Sequence, residues 1–206
     1  MSSDDTNQSK PVIGVLALQG CVTPHQPHIE AAGGIYKAVK TAAQISAVDG
    51  LILPGGESTT MLKLIDRFGL EDVIREVCQT RPVWGICAGA ILMAEIVTNP
   101  SQKSFACIPM EIIRNGYGSQ IDSKYEQIQN YPVSFIRAPI IECILDGHED
   151  DVKIPAMIDD KAVWVEYKDF MATTFHPELT LDFPSPMHQS FIGKVVARMG
   201  EKTLAA

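Results

Sequence analysis

The chain has 206 residues, a formal net charge of −8, 46% hydrophobic residues and 20% charged residues. That length suits one domain able to bury a core without covalent staples, and the acidic balance excludes a general binder of nucleic-acid phosphates. Five cysteines at scattered spacing, with no Cys-x-x-Cys pair, exclude a disulfide framework and a structural zinc site, so no metal is expected.

In chain order, residues 1–10 are polar, with two Asp and no Arg or apolar stretch, unlike a secretory or mitochondrial leader. They are expected to form a disordered tail. No apolar run reaches the length of a membrane span, so a cytoplasmic location with no membrane partner is expected. Residues 12–18 form an apolar run that suits a parallel strand covered on both faces, although its length leaves a buried helix open. A helix is predicted over 24–32, stopped by Gly33-Gly34, then a strand over 35–40. Residues 51–54 read as a short buried strand closed by Gly55-Gly56. Helices follow over 58–68, with Met61, Leu62, Leu64 and Ile65 on one side, and over 70–79. The next strand is 82–86, leading through Cys87-Ala88-Gly89 into an apolar helix over 90–96.

Strands alternating with helices imply βαβ units and a parallel sheet. The second half is richer in strand, at 106–113, 133–136, 152–158, 162–165 and 171–175, and ends in a helix over 186–199. No repeat or linker interrupts residues 11–200. The expectation is a single α/β domain over 11–200, with a mostly parallel central sheet and helices on both faces, and a short tail over 201–206.

Three segments carry chemistry. Gly85-Ile86-Cys87-Ala88-Gly89 places a thiol between a buried strand and a helix, in the pattern of a nucleophile elbow. Flanking glycines permit the tight turn, and the helix N-terminus favours a thiolate. The Ala88 N–H is placed to meet a developing oxyanion. A small packed cysteine in a tight turn fits the same pattern, and packing is the reading for the other four cysteines. Phe175-His176-Pro177-Glu178 offers a base at a strand end, with Glu178 expected on the same side through strand-like i, i+2 spacing. A strand-end histidine without a role is equally compatible. His25 and His28 could face each other on one helix, but two histidines without a third ligand make a poor metal site.

Pro54-Gly55-Gly56-Glu57-Ser58-Thr59-Thr60 joins a strand to a helix. Capping by Ser58 and dipole complementarity from Glu57 account for it locally. The Walker lysine is absent and Glu57 would repel phosphate, so a loop recognising an amide or ammonium group fits better.

Taken together, these segments resemble the class I, triad-type glutamine amidotransferases, a family with a flavodoxin-like fold. The resemblance is closer to one branch, the glutaminase subunit of glutamine-dependent pyridoxal 5′-phosphate synthase. It rests on residues 16–20, 53–60, 84–89, Arg114-Asn115, 135–139 and 175–179, in the expected order. What the resemblance implies is a Cys87–His176–Glu178 triad hydrolysing L-glutamine to glutamate and ammonia. Gly56, Glu57, Ser58, Arg114, Ile136 and Arg137 would line the glutamine site, with the Gly56 and Ala88 amides as oxyanion hole. The glutaminase half would need no cofactor, and its partner would be a synthase (lyase) subunit in a hetero-oligomer that takes the ammonia. The Gln19-Gly20 segment resembles a loop that rearranges when that subunit docks. Arginines also suit a free α-carboxylate, although surface ion pairs explain them as simply.

Departures occur at Pro24, where the family often has Glu, and at Tyr117 and Ser119, where it has Phe and Arg; residues 122–124 lack an expected aromatic. They bear on docking more than on thiol chemistry. Another triad amidotransferase, a catalytically idle assembly subunit and a thiol hydrolase of another fold are the competing readings.

Overall fold

The computed structural model describes residues 9–116 and 124–204. Most of the expected N-terminal tail, and the departures at Tyr117, Ser119 and 122–123, lie outside the described residues. In chain order the elements are β1 (Val12–Leu16), α1 (His25–Ala31), β2 (Ile35–Val39), α2 (Ala42–Ser46), β3 (Gly50–Leu53), α3 (Ser58–Arg67), α4 (Glu71–Thr80), β4 (Val83–Ile86) and α5 (Ala88–Met93). The second half adds β5 (Ala94–Thr98), β6 (Ile108–Ile113), β7 (Lys124–Ile128), β8 (Tyr131–Phe135), β9 (Ile140–Ile144), β10 (Val152–Ile158), β11 (Lys161–Tyr167) and β12 (Phe170–Thr173). A 3₁₀ turn at Pro177–Leu179 and the helix α6 (Pro186–Leu204) complete the chain.

The main sheet has seven strands in the order β10-β11-β12-β4-β3-β1-β2. From β12 to β2 every neighbour is parallel, while β10 and β11 form an antiparallel ribbon on one edge. Because side chains alternate along a strand, each strand feeds two cores. Leu51, Leu53 and Val83 face a cluster with Met61 and Ile65 of α3 and Ile74 and Val77 of α4. Ile52, Trp84 and Ile86 face the other, with Ile29 of α1 and Phe191 and Val195 of α6. Both faces of the sheet are therefore covered by helices, which is why its strands read as continuous apolar runs. The domain is mixed α/β, as expected. Two smaller sheets, β5-β6-β9 and β7-β8, extend it.

Four differences from the sequence reading have physical reasons. The apolar segment after Cys87 is helical only to Met93, and Ala94–Thr98 then pairs parallel with β6. A short apolar run does not distinguish helix from strand, and pairing decided it. The helix α2 lacks an apolar stripe and was not expected; its signature is a capping box, in which Thr41 Oγ1 accepts from Gln44 N–H and Gln44 Oε1 accepts from Thr41 N–H. Strands β7 and β9 carry exposed polar positions that mask their alternation. The final helix continues past Gly200 to Leu204, so the expected C-terminal tail is mostly helix. Among the described residues, no helix is long and apolar enough to cross a membrane.

Candidate active site

The parallel strands β12, β4, β3 and β1 are consecutive neighbours, and the segments leaving their carboxyl ends meet at one edge. These segments carry His176, Cys87, Gly55-Gly56 and Gln19-Gly20-Cys21 respectively. Ligand sites in open α/β sheets favour that edge.

Cys87 follows β4 at φ 48° and ψ −101°, a strained conformation that costs about 1–3 kcal/mol and lifts the thiol out of the strand line. Its backbone N–H donates to Thr173 O of β12 at 2.8 Å. The flanking glycines are sterically required. A Cβ on Gly89 would sit 1.9 Å from Leu53 O, and one on Gly85 would sit 2.5 Å from Gly89 O. The buried Trp84 indole donates to Thr173 Oγ1 at 3.1 Å, which fixes β4 against β12.

His176 continues from β12 in extended conformation, and its backbone pairs with Ser134 of β8 through bonds of 2.8 and 3.4 Å. Its Nδ1 lies 2.7 Å from Glu178 Oε1, with the carboxylate side chain fully buried. The spacing works through a 3₁₀ turn rather than the strand geometry expected, because Pro177 opens a helical turn that swings Glu178 back onto the ring. The other side of the ring packs on Gly55, where a Cβ would approach Cε1 to 2.2 Å. The Cys87 and Cys21 thiols both stand near enough to His176 to favour its charged form. Burial opposes a charged imidazole, but those thiols and the Glu178 carboxylate outweigh it, and His176 is pushed up to about 12. Burial also raises the Glu178 carboxyl, yet its bond to His176 and the nearby imidazoles prevail and hold it below the usual carboxylate range. The two directions agree on a charged pair, imidazolium on carboxylate.

The six residues expected around glutamine, Gly56, Glu57, Ser58, Arg114, Ile136 and Arg137, line one cavity of ≈130 Å³ together with Cys87 and Ala88. Ile91 and Asn115 complete it. Asn115 adjoins Arg114, and Ile91 stands one helical turn after Cys87, so both were within reach of a positional argument. Arg114 arrives from the end of β6 and donates to Thr59 Oγ1 at 2.7 Å, with Glu57 Oε1 at 3.4 Å. Its Nε is buried and has no hydrogen-bond partner among the described residues. Ile136 and Arg137 enter from the end of β8, beside the backbone of His176.

Glu57, not Ser58, caps α3. Its carboxylate accepts from Thr60 N–H at 2.6 Å and Thr59 N–H at 3.3 Å. Partial burial works against the anion, but those amides hold Glu57 below the usual range. Ser58 Oγ turns instead to Gln102 Oε1 at 3.0 Å. The Gln19 amide pairs with Glu57 in both directions, donating to its O at 3.2 Å and accepting from its N–H at 3.3 Å. That clamp ties the β1 turn to the Gly-Gly-Glu loop.

Cys21 is the residue the sequence reading placed wrongly. It is not core packing: the β1–β3 adjacency sets it beside His176, and no local pattern signals such a neighbour. Cys107 is a different case, its thiol pushed up by a hydrogen bond to Cys78 and by burial. That pair borders a larger cavity of ≈350 Å³ near the amino ends of β4 and β12, away from Cys87 and His176. A third histidine joins the two foreseen on α1. His188 Nε2 lies 2.9 Å from His25 Nδ1, and its ring stacks on His28 at 4.5 Å. All three are buried, and burial drives His25 down to about 4 and His188 well below its ordinary value, so the cluster is neutral.

Residues 15–197 match the model of the SNO glutamine amidotransferase family. The chain is 44% identical over 195 residues to the pyridoxal 5′-phosphate synthase subunit PdxT of Solibacter usitatus, covering 89% of this chain and 98% of that one. It is 43% identical over 194 residues to the same-named subunit of Exiguobacterium sibiricum, covering 91% and 97%. A crystal structure of a glutamine amidotransferase superposes with a TM-score of 0.79 at 32% identity, over 89% of this chain and 98% of that chain. The structure of PurLQS from Thermotoga maritima, at 16% identity and a TM-score of 0.56 over 95% of this chain and 100% of that chain, shares the fold.

Proposed function

Since the chain belongs to the SNO glutamine amidotransferase family, we propose that it is the glutaminase subunit of a pyridoxal 5′-phosphate synthase, hydrolysing L-glutamine through Cys87, His176 and Glu178. The observation that carries this reading is one cavity that joins the strained Cys87 to Arg114 and Arg137, with the His176–Glu178 pair behind the thiol. The PdxT proteins it resembles at 44% and 43% identity are named as subunits of that synthase.

In the mechanism, the α-carboxylate of glutamine takes the open Nε–H of Arg114, which adds a charge-assisted bond at a buried donor. The side-chain amide then lies over Cys87. The Cys87 thiolate attacks the carbonyl carbon, and the backbone amides of Ala88 and Gly56 hold the oxyanion. His176, kept protonated by Glu178, delivers its proton to the leaving nitrogen, and ammonia departs. The ring then accepts a proton from water as that water opens the thioester, releasing glutamate and restoring the thiol. The Gln19–Glu57 clamp connects a docking loop to the Gly56 amide, so docking of the synthase subunit would adjust the oxyanion hole. The ammonia passes to that subunit.

The test is glutamate release from glutamine by the chain alone and with its cognate synthase. Activity that appears or rises with the synthase and vanishes in Cys87→Ala supports the reading. A Cys87→Ala chain that still releases glutamate in the complex overturns it.

A further inference from the structure

We propose that His25 is a positioning residue for the Glu178 carboxylate: its Nε2–H serves Glu178 Oε2, the oxygen His176 leaves free, and a buried relay through His188 and Ser185 fixes that proton in place. Its effect on rate rests on the proposed glutaminase reaction; the relay rests on geometry alone.

Helix α1 carries His25 to the carboxylate. Four residues before it, the Cys21 sulfur lies within 4.8 Å of a Glu178 oxygen. Three residues after it, His28 Nε2 donates to Thr180 O at 3.2 Å, two residues past Glu178. Residues three apart share one side of a helix, so His25 and His28 both face the turn that holds Glu178. Both are buried. Among the described residues, two buried atoms in this region lack a well-formed hydrogen bond, His25 Nε2 and Glu178 Oε2. Each supplies what the other lacks, provided the nitrogen carries the proton.

The rest of the cluster places it there. His188 N–H donates to Ser185 Oγ at 3.2 Å, and His188 Nδ1 stands 2.6 Å from the same oxygen. Ser185 is fully buried, and its hydroxyl makes no third bond among the described residues. A hydroxyl that accepted from both nitrogens would leave its own proton without an acceptor, so it donates to His188 Nδ1. Burial drives both His25 and His188 to the neutral form, against a weaker pull from Glu178 on His25. A neutral ring holds one proton. His188 therefore bears it on Nε2 and donates to His25 Nδ1 at 2.9 Å. His25 in turn bears its proton on Nε2. That donor restrains the carboxylate from rotating while Oε1 holds His176 Nδ1 at 2.7 Å, and it favours the ionised carboxylate.

The experiment labels the histidines of the full chain with ¹⁵N and reads the ring nitrogens by NMR near pH 7. His25 and His188 should both be neutral and protonated on Nε2, a readout that needs no variant to fold. Two substitutions then separate positioning from packing. His25→Asn keeps an amide near Nδ1 to meet His188 but removes the Nε2 donor, whereas His25→Gln sets an amide N–H where Nε2–H stood. In the complex with the synthase, His25→Asn should lower kcat for glutamate release roughly 10–100-fold, the size of a lost hydrogen bond to a charged group, with KM little changed. His25→Gln should restore kcat to within about threefold of the unaltered chain. A His25 protonated on Nδ1, an unimpaired His25→Asn, or equal losses in the two variants overturns the assignment. An unaltered complex that releases no glutamate overturns the glutaminase reading instead, and the ring-proton result still decides the relay.

Discussion

Replacing Glu178 by Gln keeps nearly the same shape and a hydrogen-bond acceptor 2.7 Å from His176 Nδ1, but deletes the charge. Both side chains are almost fully buried, at 5% and 0% exposure, so solvent screens the pair little. Opposite unit charges about 4 Å apart at an effective dielectric of 20 attract by about 4 kcal/mol. At 1.36 kcal/mol per pH unit, that corresponds to about three units of support for the imidazolium. Loss of the charge should therefore bring His176 down from about 12 by two to three units. The alkaline limb of kcat/KM for glutamate release, measured in the complex with the synthase, should move to lower pH by the same amount. The rate at neutral pH, where the ring stays protonated, should fall by about 10²–10³-fold because the imidazolium is no longer aligned and supported by a fixed carboxylate. An unmoved alkaline limb with less than about threefold loss would refute the assignment of Glu178 as the charge behind His176.

Three further outcomes follow from individual contacts. Arg114→Met removes the guanidinium whose buried Nε is open, and should raise KM for glutamine roughly 10–100-fold with a smaller change in kcat, as steady-state kinetics would show. Gly89→Ala sets a Cβ 1.9 Å from Leu53 O, a backbone atom with no freedom to yield, and should cost about 3 kcal/mol or more in urea unfolding. Acid should destabilise the chain through its buried histidines. His25 titrates near 4 when folded against 6.5 when exposed, so its stabilisation is complete above pH 6.5 and falls away toward pH 4, by about 3 kcal/mol. His188 shifts in the same direction, and unfolding midpoints measured from pH 7 to pH 4 should track both. The elevated His176 acts oppositely, its contribution full below pH 6.5 and declining toward about pH 12.

Much of this was legible in the sequence because the decisive signals are local. Gly85 and Gly89 stand two residues either side of Cys87, a pattern read directly although the Gly89 clash is with distant Leu53 O, and the His176–Glu178 bond spans two residues. Apolar runs announced the central strands, since a sheet covered on both faces needs them. What sequence could not supply is lateral order. Nothing in residues 12–21 says that β1 lies next to β3, so Cys21 read as packing when it is a neighbour of His176. The cap of α3 was missed for a different reason. Both Glu57 and Ser58 are competent acceptors, and the choice depended on Gln102, far along the chain, taking the Ser58 hydroxyl.

Lateral order also makes the site's geometry inseparable from strand register. A strand advances about 3.3 Å per residue, so a one-residue slip of β12 against β4 would carry His176 out of hydrogen-bonding reach of Cys87. Two bonds oppose that slip, Cys87 N–H to Thr173 O at 2.8 Å and Trp84 Nε1–H to Thr173 Oγ1 at 3.1 Å. Both come from residues within three positions of the nucleophile and converge on one threonine three positions before the histidine. The turn that strains Cys87 is thus held by the same contacts that set the thiol against the His176 imidazole. Strain at the nucleophile persists because the register around it is over-determined.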